Sequence, residues 1–162
     1  MDSDIEFNEV KFLTNNFQPK ILSIHTAILH VSSNSFKLPG FRPGENSRVI
    51  LKSCSFLNNY GTTRVAFFEG DVYLDVINTH FYDNNADYLL YVAYSFRNTD
   101  TVIPVTIVTT TLKVTQSTFS NNTGGQLIFL TGYYILVNIS GLQITNNILL
   151  SGSDGLIVFK DW

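Results

Sequence analysis

The chain has 162 residues, of which 44% are hydrophobic and 14% are charged, and its formal net charge is −3. One domain is typical of that length, and the acidic balance argues against a nucleic-acid partner because no basic stripe is present to neutralise phosphates. No apolar run is long enough to predict a transmembrane segment, and residues 1–4, MDSD, do not begin like a secretory signal peptide.

A four-residue motif, Phe-x-x-Asn, recurs along the chain. Copies begin at Phe12, Phe56, Phe81 and Phe119, and a further copy has Ile144 in place of the Phe. Recurrence of a short motif at intervals of a few dozen residues predicts a stack of similar units instead of one irregular globule.

Six units share a longer template when the Phe is taken as position zero. Aliphatic or Phe residues stand seven and five places before it in every unit, and a residue that is usually small or apolar stands two places before it. The unit of Phe36 has Pro39 where the Asn is expected. The zero positions are Phe12, Phe36, Phe56, Phe81, Phe119 and Ile144. The seven-before positions are Ile5, Leu29, Val49, Leu74, Leu112 and Val137.

Followed in chain order, this template predicts three short strands in each unit. Positions minus seven and minus five alternate as in a strand, and so do positions minus two and zero. Positions minus five and minus two are three residues apart, so the alternation of inward and outward side chains is interrupted there, which predicts a bend. An Asn-rich corner follows position zero, and Asn readily adopts the left-handed conformation that a sharp corner needs. A third apolar run follows at residues 65–68, 88–92, 126–130 and 155–159. Strand, bend, strand, corner, strand and turn make one coil of a parallel β-helix.

The spacing of the units predicts one insertion. The seven-before positions are 24, 20, 25, 38 and 25 residues apart, and about 20–25 residues suit three short strands with three turns. The long step predicts a protruding loop or hairpin between Ala93 and Val105. We expect a contact surface there, near Tyr88 and Tyr91, with Tyr94, Arg97, Asn98 and Asp100 as its candidate residues.

Two other repeat-rich or strand-rich folds are alternatives. A leucine-rich repeat is disfavoured because its Leu-x-x-Leu-x-Leu signature is absent. An antiparallel sandwich or barrel stays open because it also contains many short strands, although it would not need the same residue types at fixed offsets. We expect residues 1–162 to form a single all-β domain of about six coils. Because neither terminus looks like a cap, this domain would be a segment of a longer solenoid or an assembly subunit.

The Phe-x-x-Asn corners resemble those of right-handed parallel β-helices of the pectin lyase-like superfamily, over roughly residues 4–160. The repeat is also similar to that of bacterial polymorphic outer-membrane autotransporter passengers, in which Phe-x-x-Asn alternates with Gly-Gly-Ala. Here residues 124–128 read GGQLI, once only and with Gln for Ala. Similar repeats occur in large ciliate surface proteins. The resemblance implies a right-handed coil, and it implies function only loosely because this fold carries enzymes, adhesins and scaffolds alike.

Two columns of side chains are expected to hold the coils together. Stacked corner amides would hydrogen-bond along the axis, in a structural ladder of Asn15, Asn59, Asn84, Asn122 and Asn147. Stacked rings would fill the core, in a row of Phe12, Phe36, Phe56, Phe81 and Phe119. An exposed amide row that binds sugar or ice is the functional alternative for the ladder.

Three further residues have a structural and a functional interpretation. Cys54 stands in the minus-two column, so we expect it to be buried as a small apolar residue, with a catalytic thiol as the alternative. Asn121 and Asn138 match the N-glycosylation sequon and should face outward. Matches by chance are also expected in a chain so rich in Asn, Ser and Thr.

The outward-facing minus-six column contains the charged residues that could support catalysis. It reads Glu6, His30, Ile50, Asp75, Lys113 and Asn138. Asp75 and Lys113 would be neighbours, and such a pair serves as acid–base machinery or, more often, as an exposed ion pair. His25, His30 and His80 fall in different columns or coils, so no metal cluster is predicted. We expect no catalytic residue, no metal and no cofactor.

These observations favour a non-enzymatic structural or surface module, extracellular or at the cell surface: a scaffold, adhesin or filament segment. It would bind protein partners, or further copies of itself, through variable turns and open ends. The alternative is a carbohydrate-active enzyme or carbohydrate-binding module of the pectin lyase-like type. Three or more carboxylates on one exposed face would favour the enzyme, and a smooth Ser, Thr and Asn face would favour the scaffold.

Overall fold

The computed structural model describes residues 4–13, 27–33, 47–70, 72–93, 111–132 and 136–160. These residues form sixteen β-strands and no helix, which confirms the all-β prediction for the described ranges. The strands are β1 Asp4–Asn8, β2 Lys11–Leu13, β3 Ala27–Ser33, β4 Ser47–Lys52, β5 Ser55–Leu57, β6 Tyr60–Gly70, β7 Val72–Ile77, β8 His80–Tyr82, β9 Asn85–Ala93, β10 Thr111–Thr115, β11 Thr118–Ser120, β12 Thr123–Thr131, β13 Leu136–Ser140, β14 Gln143–Thr145, β15 Ile148–Leu149 and β16 Ile157–Lys160. Frequent β-branched and aromatic residues favour this strand-rich structure.

Every third strand joins the same sheet. The first sheet has the order β1-β4-β7-β10-β13, the second β2-β5-β8-β11-β14 and the third β3-β6-β9-β12-β15, with β16 also beside β12. All of these pairings are parallel, so an antiparallel sandwich does not fit the described strands. Successive triplets form coil 1 (β1–β3) to coil 5 (β13–β16), and the arrangement is consistent with a parallel β-solenoid.

The unit assigned around Phe36 is wrong. Leu29 and Val31 lie in β3, which pairs with β6 in the third sheet, and β1 pairs directly with β4 in the first sheet. The described strands therefore form five coils, and the six-coil prediction is not confirmed. The alternation of Leu29 and Val31 fits a first strand and a third strand equally well, so the sequence columns could not tell the two apart. Phe36 itself lies outside the described residues.

The predicted bends are single residues in the left-handed conformation. Position minus three has a φ between 48° and 63° in every coil, at Glu9, Ser53, Asn78, Gln116 and Gly141. A single left-handed residue reverses the parity of the strand, so the apolar residues of the first and second strands both point inward. The corner after position zero differs in detail from the prediction. Its left-handed residue stands directly before the ladder asparagine, at Asn58, Asp83, Asn121 and Asn146.

The core runs along the axis of the stack, between the three sheets. The middle coils bury their inward residues completely, and the columns of the first and second strands have no gap from coil 2 to coil 4. At the edge of the stack, Ile5 of coil 1 is 41% exposed, whereas its register partners Val49, Leu74 and Leu112 are 0% exposed. Burial is therefore complete only where a coil has neighbours on both sides.

The long step between coils 3 and 4 does not disturb the register. Leu74 and Leu112 are direct partners although 38 residues separate them in sequence. The surplus falls in the connection between β9 and β10, as the spacing predicts, but Tyr94, Arg97, Asn98 and Asp100 lie outside the described residues. Within the described ranges, no helix has the length and apolar character that crossing a bilayer requires.

Candidate binding surface

The corner asparagines form a hydrogen-bonded ladder along the stack. Each side-chain Nδ2 donates to the Oδ1 of the asparagine in the next coil, at 2.8 Å from Asn59 to Asn84, 3.0 Å from Asn84 to Asn122 and 2.9 Å from Asn122 to Asn147. The backbone N–H of each donor asparagine also donates to that Oδ1. Asn59, Asn84 and Asn122 are buried, so their amides offer no surface to sugar or ice. Asn15 lies outside the described residues.

A second column stacks aromatic rings in the core. The ring centroids of Phe12 and Phe56 are 4.5 Å apart, those of Phe56 and Phe81 4.8 Å, and those of Phe81 and Phe119 4.6 Å. The interplanar angles are 6° or less, so the rings lie parallel. Their spacing matches the separation of about 4.8 Å between neighbouring strands. Each backbone step along the axis thus brings one ring into contact with the next.

Cys54 belongs to a third column, which consists of buried donors. Its Sγ donates to the carbonyls of Phe7 and Lys52, at 3.2 and 3.5 Å. Thr79 and Ser117 donate from the same position to the equivalent carbonyls of their own and the preceding coil. Burial raises the pKa of the Cys54 thiol above its ordinary value. The residue therefore replaces a hydroxyl donor, and its protonated, buried state does not suit a nucleophile.

The outward charged column is arranged differently from the expected Asp75–Lys113 pair. The two residues are register partners in neighbouring strands, but the Asp75 carboxylate pairs with Arg48, at 2.7 Å between Oδ2 and Nη2. Asp75 is only 2% exposed, and its Oδ1 has no hydrogen-bond partner among the described residues. The Arg48 guanidinium also lies 5.6 Å from the centroid of the Tyr73 ring.

The remaining predicted residues lie apart from one another. Asn138 is exposed on β13, and Asn121 is half-buried at a left-handed corner where its N–H donates to the carbonyl of Thr145. His30 is on the third sheet and His80 on the second. Over the part of the chain that the structure describes, no three His, Cys, Asp or Glu side chains are grouped in a way that could hold a metal ion.

The third sheet bends along a line that passes through coils 2, 3 and 4. Two consecutive residues of each long strand belong to the core: Val65 and Ala66, Leu89 and Leu90, and Leu127 and Ile128. A straight strand would turn one residue of each pair outward, so the strand changes direction between them. The side chains that precede and follow each pair meet on the outer surface. We call the result the aromatic groove, formed by His30, Arg64, Phe67, Tyr88, Tyr91 and Phe129.

The rings of the aromatic groove form a continuous row across four strands. His30, Phe67, Tyr91 and Phe129 are register partners in β3, β6, β9 and β12. Their successive centroids are 4.6, 5.1 and 4.9 Å apart. Tyr88 packs edge-on against Tyr91 at 5.0 Å and lies 5.1 Å from Phe129. Phe67 and Phe129 are largely buried by this packing, although neither belongs to the contiguous cluster of apolar side chains between the sheets.

Charged groups surround these rings. The Arg64 guanidinium carbon lies 4.4 Å from the Phe67 centroid and 4.6 Å from that of Tyr91, a cation–π arrangement. Burial raises the pKa of the Tyr91 phenol, and the Arg64 charge opposes part of that shift. At one end of the groove His30 Nε2 and Glu69 Oε1 are 3.1 Å apart. At the other end Lys160 lies 5.8 Å from the Phe129 ring, and a hydrogen bond to Asp154 raises the pKa of Lys160.

A cavity of about 320 Å³ lies in the aromatic groove, and its lining residues are His30, Arg64, Phe67, Glu69, Tyr91 and Ala93. Two buried polar atoms lie in the register rows beside it. Gln126 Oε1, in the row of Tyr88, and Thr131 Oγ1, in the row of Ala93, have no hydrogen-bond partner among the described residues. Flat rings, a cation and a carboxylate on one surface can bind a ligand by stacking and hydrogen bonding.

Sequence reasoning pointed to Tyr88 and Tyr91 but missed the column of Phe67, Tyr91 and Phe129. Phe67 stands eleven residues after its zero position, whereas Tyr91 and Phe129 stand ten after theirs. The register shift between Tyr60 and Thr62 adds one residue to β6 and hides the shared offset.

Comparison with protein-family models, with curated proteins and with solved structures found no match for the chain.

Proposed function

We propose that this chain is a non-enzymatic structural or surface module, a rigid scaffold or adhesin segment that binds partners along its outer face and at the edges of its stack. The observation that carries the proposal is the unbroken pair of columns, buried amides and stacked rings, that joins successive coils. Each coil is bonded to the next through the sheets, the stacked rings join coils 1 to 4, and the described amide ladder joins coils 2 to 5. A rod built in this way keeps its outer surfaces at fixed spacing, which is what a scaffold requires.

We infer further that the coil is right-handed and that the module is extracellular or at the cell surface. Connections between parallel strands of one sheet are right-handed in about 98% of cases, which supports the handedness. Only 14% of the residues are charged, Ser, Thr and Asn are frequent, and the sequon residue Asn138 is exposed. These features suit a secreted protein, as does the resemblance to pectin lyase-like and autotransporter β-helices, which is an analogy at the level of fold.

A carbohydrate-binding or carbohydrate-active module is the second candidate, and the aromatic groove is the observation that favours it. Tyr88 and Tyr91 are half-buried, so each keeps part of its ring available to a ligand. A sugar ring has an apolar face that stacks on an aromatic ring and hydroxyls that hydrogen-bond to polar groups at its rim. Arg64, Glu69 and Gln126 are the polar groups in and beside this groove.

Incubation with a panel of neutral and acidic polysaccharides distinguishes the candidates. Affinity gel electrophoresis reports binding as slower migration, and an assay for new reducing ends or unsaturated sugars reports turnover. The scaffold proposal predicts neither slower migration nor products. Slower migration without products would establish the carbohydrate-binding module in its place, and products would contradict a non-enzymatic role.

Matched variants locate any binding that is found. Tyr91→Ala removes a ring from the aromatic groove, whereas Tyr82→Ala removes an exposed ring from the second sheet. If carbohydrate binds at the groove, polysaccharide in the gel should slow the migration of Tyr82→Ala but not that of Tyr91→Ala. Equal behaviour of the two variants would assign the binding to another surface.

A further inference from the structure

We propose that the edge of coil 5 binds the edge of coil 1 of a second copy, so that copies stack head to tail in one orientation; among the described strands, neither edge has a further strand beside it. This inference rests on the proposed function, because it names the partner of the stack edges. A second copy is the partner because the two edges complement each other: their apolar columns meet, and the backbone N–H groups of one edge face the carbonyls of the other.

The apolar columns end unfinished at both edges. Val49, Leu74 and Leu112 are fully buried, but Ile5 at the coil 1 end of their column is 41% exposed, and Val137 at the coil 5 end is only partly buried. The ring column ends in the same way, with Phe12 and Ile144 only partly buried. A stacked copy would place Ile144 against Phe12 and Val137 against Ile5. Each column would then continue with an apolar residue on both sides.

The backbone hydrogen bonds between coils follow one pattern, which the edges leave incomplete. At the bend, the minus-three N–H donates to the minus-four carbonyl of the next coil, as from Gln116 to Ser140 at 2.9 Å. At the second strand, the minus-one N–H donates to the minus-two carbonyl of the preceding coil, as from Gln143 to Ser117 at 2.9 Å. At the corner, the N–H donates to the next coil as well, as from Asn121 to Thr145 at 3.0 Å.

Continuing the pattern across a junction joins groups of opposite type. Gly141 N–H of one copy would donate to the Asn8 carbonyl of the next copy, and Asn146 N–H to the Leu13 carbonyl. The Lys11 N–H of the next copy would donate back to the Leu142 carbonyl. Within the described ranges, the N–H groups of Gly141 and Asn146 have no backbone partner, and β2, which contains Lys11, has a neighbouring strand on one side only. A head-to-tail junction also keeps the neighbouring strands parallel, as they are in all the described pairings between coils, whereas two identical edges joined by a two-fold axis would have to pair antiparallel.

The amide ladder also points outward at the edge of coil 5. Asn147 Nδ2 donates to the Phe119 carbonyl at 2.8 Å, and among the described residues its second hydrogen has no acceptor. In Asn59, Asn84 and Asn122 the equivalent hydrogen and the backbone N–H both bind the Oδ1 of the next asparagine. The edge of coil 5 therefore presents the two donors that a further coil of the same template accepts.

Disulfide trapping tests the orientation with substitutions at exposed positions. Lys11 and Gln143 occupy the same outward position in β2 and β14, so the junction would make them neighbours at a Cα separation of about 4.8 Å, within disulfide range. Lys11→Cys and Gln143→Cys are made separately, each with Cys54→Ser, and oxidised alone and mixed. We expect cross-linked dimers in the mixture only. Dimers of either variant alone, or no dimer in the mixture at concentrations used for crystallisation, would overturn the proposal.

Edge-blocking variants provide a second test in solution. Ile144→Lys blocks the coil 5 edge, and Phe12→Lys blocks the coil 1 edge, so each variant should sediment as a monomer. Their equimolar mixture should contain dimers because each variant keeps one intact edge, and the unchanged chain should form longer assemblies. A monomeric unchanged chain would overturn this inference alone, since the polysaccharide assay decides the proposed function separately.

Discussion

The asparagine side chain has the two functions that the corner of each coil requires. Its Oδ1 accepts from two N–H groups of the preceding asparagine, and its Nδ2 donates both along the axis and back to the carbonyl of a core Phe. An aspartate at the same position would lack the donor and would stack like charges. The corner therefore selects Asn because a buried polar group must be fully hydrogen-bonded.

Asn84→Ala should lower the free energy of unfolding by roughly 2–4 kcal/mol, because it removes the Oδ1 that accepts from two N–H groups of Asn59 and the Nδ2 that donates to Asn122 Oδ1 and to the Phe56 carbonyl. Urea unfolding measures the change. Asn85→Ala is the control, since Asn85 is exposed and is expected to change stability by less than about 0.5 kcal/mol. Equal losses in the two variants would show that the ladder does not stabilise the stack.

Tyr91 predicts a dependence of stability on alkaline pH. Burial raises the pKa of its phenol in the folded chain above the ordinary value of about 10, so the folded state holds its proton more tightly than the unfolded state does. The stability that comes from the neutral phenol is present below about pH 10 and is lost as the pH rises through the folded pKa. Tyr91→Phe should therefore lose less stability than the unchanged chain between about pH 9 and 11.

Unfolding by urea at each pH measures this difference. Tyr82→Phe, at an exposed position, is the control and should follow the unchanged chain. A Tyr91→Phe variant that loses stability with pH as steeply as the unchanged chain would contradict the raised pKa.

At the scale of strands, the second strand of each coil contributes only three residues but anchors a ring in the stack. Phe81 is fully buried between Phe56 and Phe119, at centroid distances of 4.8 and 4.6 Å. Such short strands are stable here because each one pairs on both sides and its central side chain fills the core. The stack thus links local strand formation to contacts between coils.

Phe81→Ala should cost about 3–5 kcal/mol, because it removes a ring from a column that cannot collapse around the cavity. Tyr82→Ala, one residue later and exposed, should cost far less. Thermal or urea unfolding of both variants checks the difference. A loss below about 1 kcal/mol for Phe81→Ala would exclude an internal ring stack.

Strand-level features differ in how far the sequence could predict them. The bends and the buried columns could be predicted because inward positions recur at fixed offsets from Phe. The position of β3 could not, since two alternating apolar residues carry no information about which sheet they join. The aromatic groove could not either, because it depends on a strand bend inside an apolar run and on one added residue in β6.

The Gly-Gly pair at residues 124–125, which resembles part of the autotransporter repeat, has a local physical cause at Gly124. A Cβ at this position would lie 1.8 Å from the carbonyl oxygen of Ala86 in the neighbouring coil. Only glycine permits this close approach of β12 to β9. The Gly-Gly pair at residues 124–125 is therefore explained by packing between coils, whatever the family of the protein.

At the scale of the whole molecule, the five coils act as one column because the register of the first and second sheets is continuous. Partners in the second sheet follow one another without a shift from Phe12 through Phe56, Phe81 and Phe119 to Ile144. Connections of different length between the coils leave this register unchanged. The proposed scaffold role and the head-to-tail junction both depend on this continuity.

Continuous register is tested most directly by a disulfide across coils 3 and 4. His80 and Thr118 are register partners on the outer face of the second sheet, and 38 residues separate them in sequence. With Cys54→Ser, the pair His80→Cys and Thr118→Cys should oxidise readily in the monomer, because neighbouring strands lie about 4.8 Å apart. The control pair, His80→Cys and Ser120→Cys, is offset by two residues to about 8 Å and should not bridge. Readier oxidation of the offset pair than of the in-register pair would contradict the stacked-coil account.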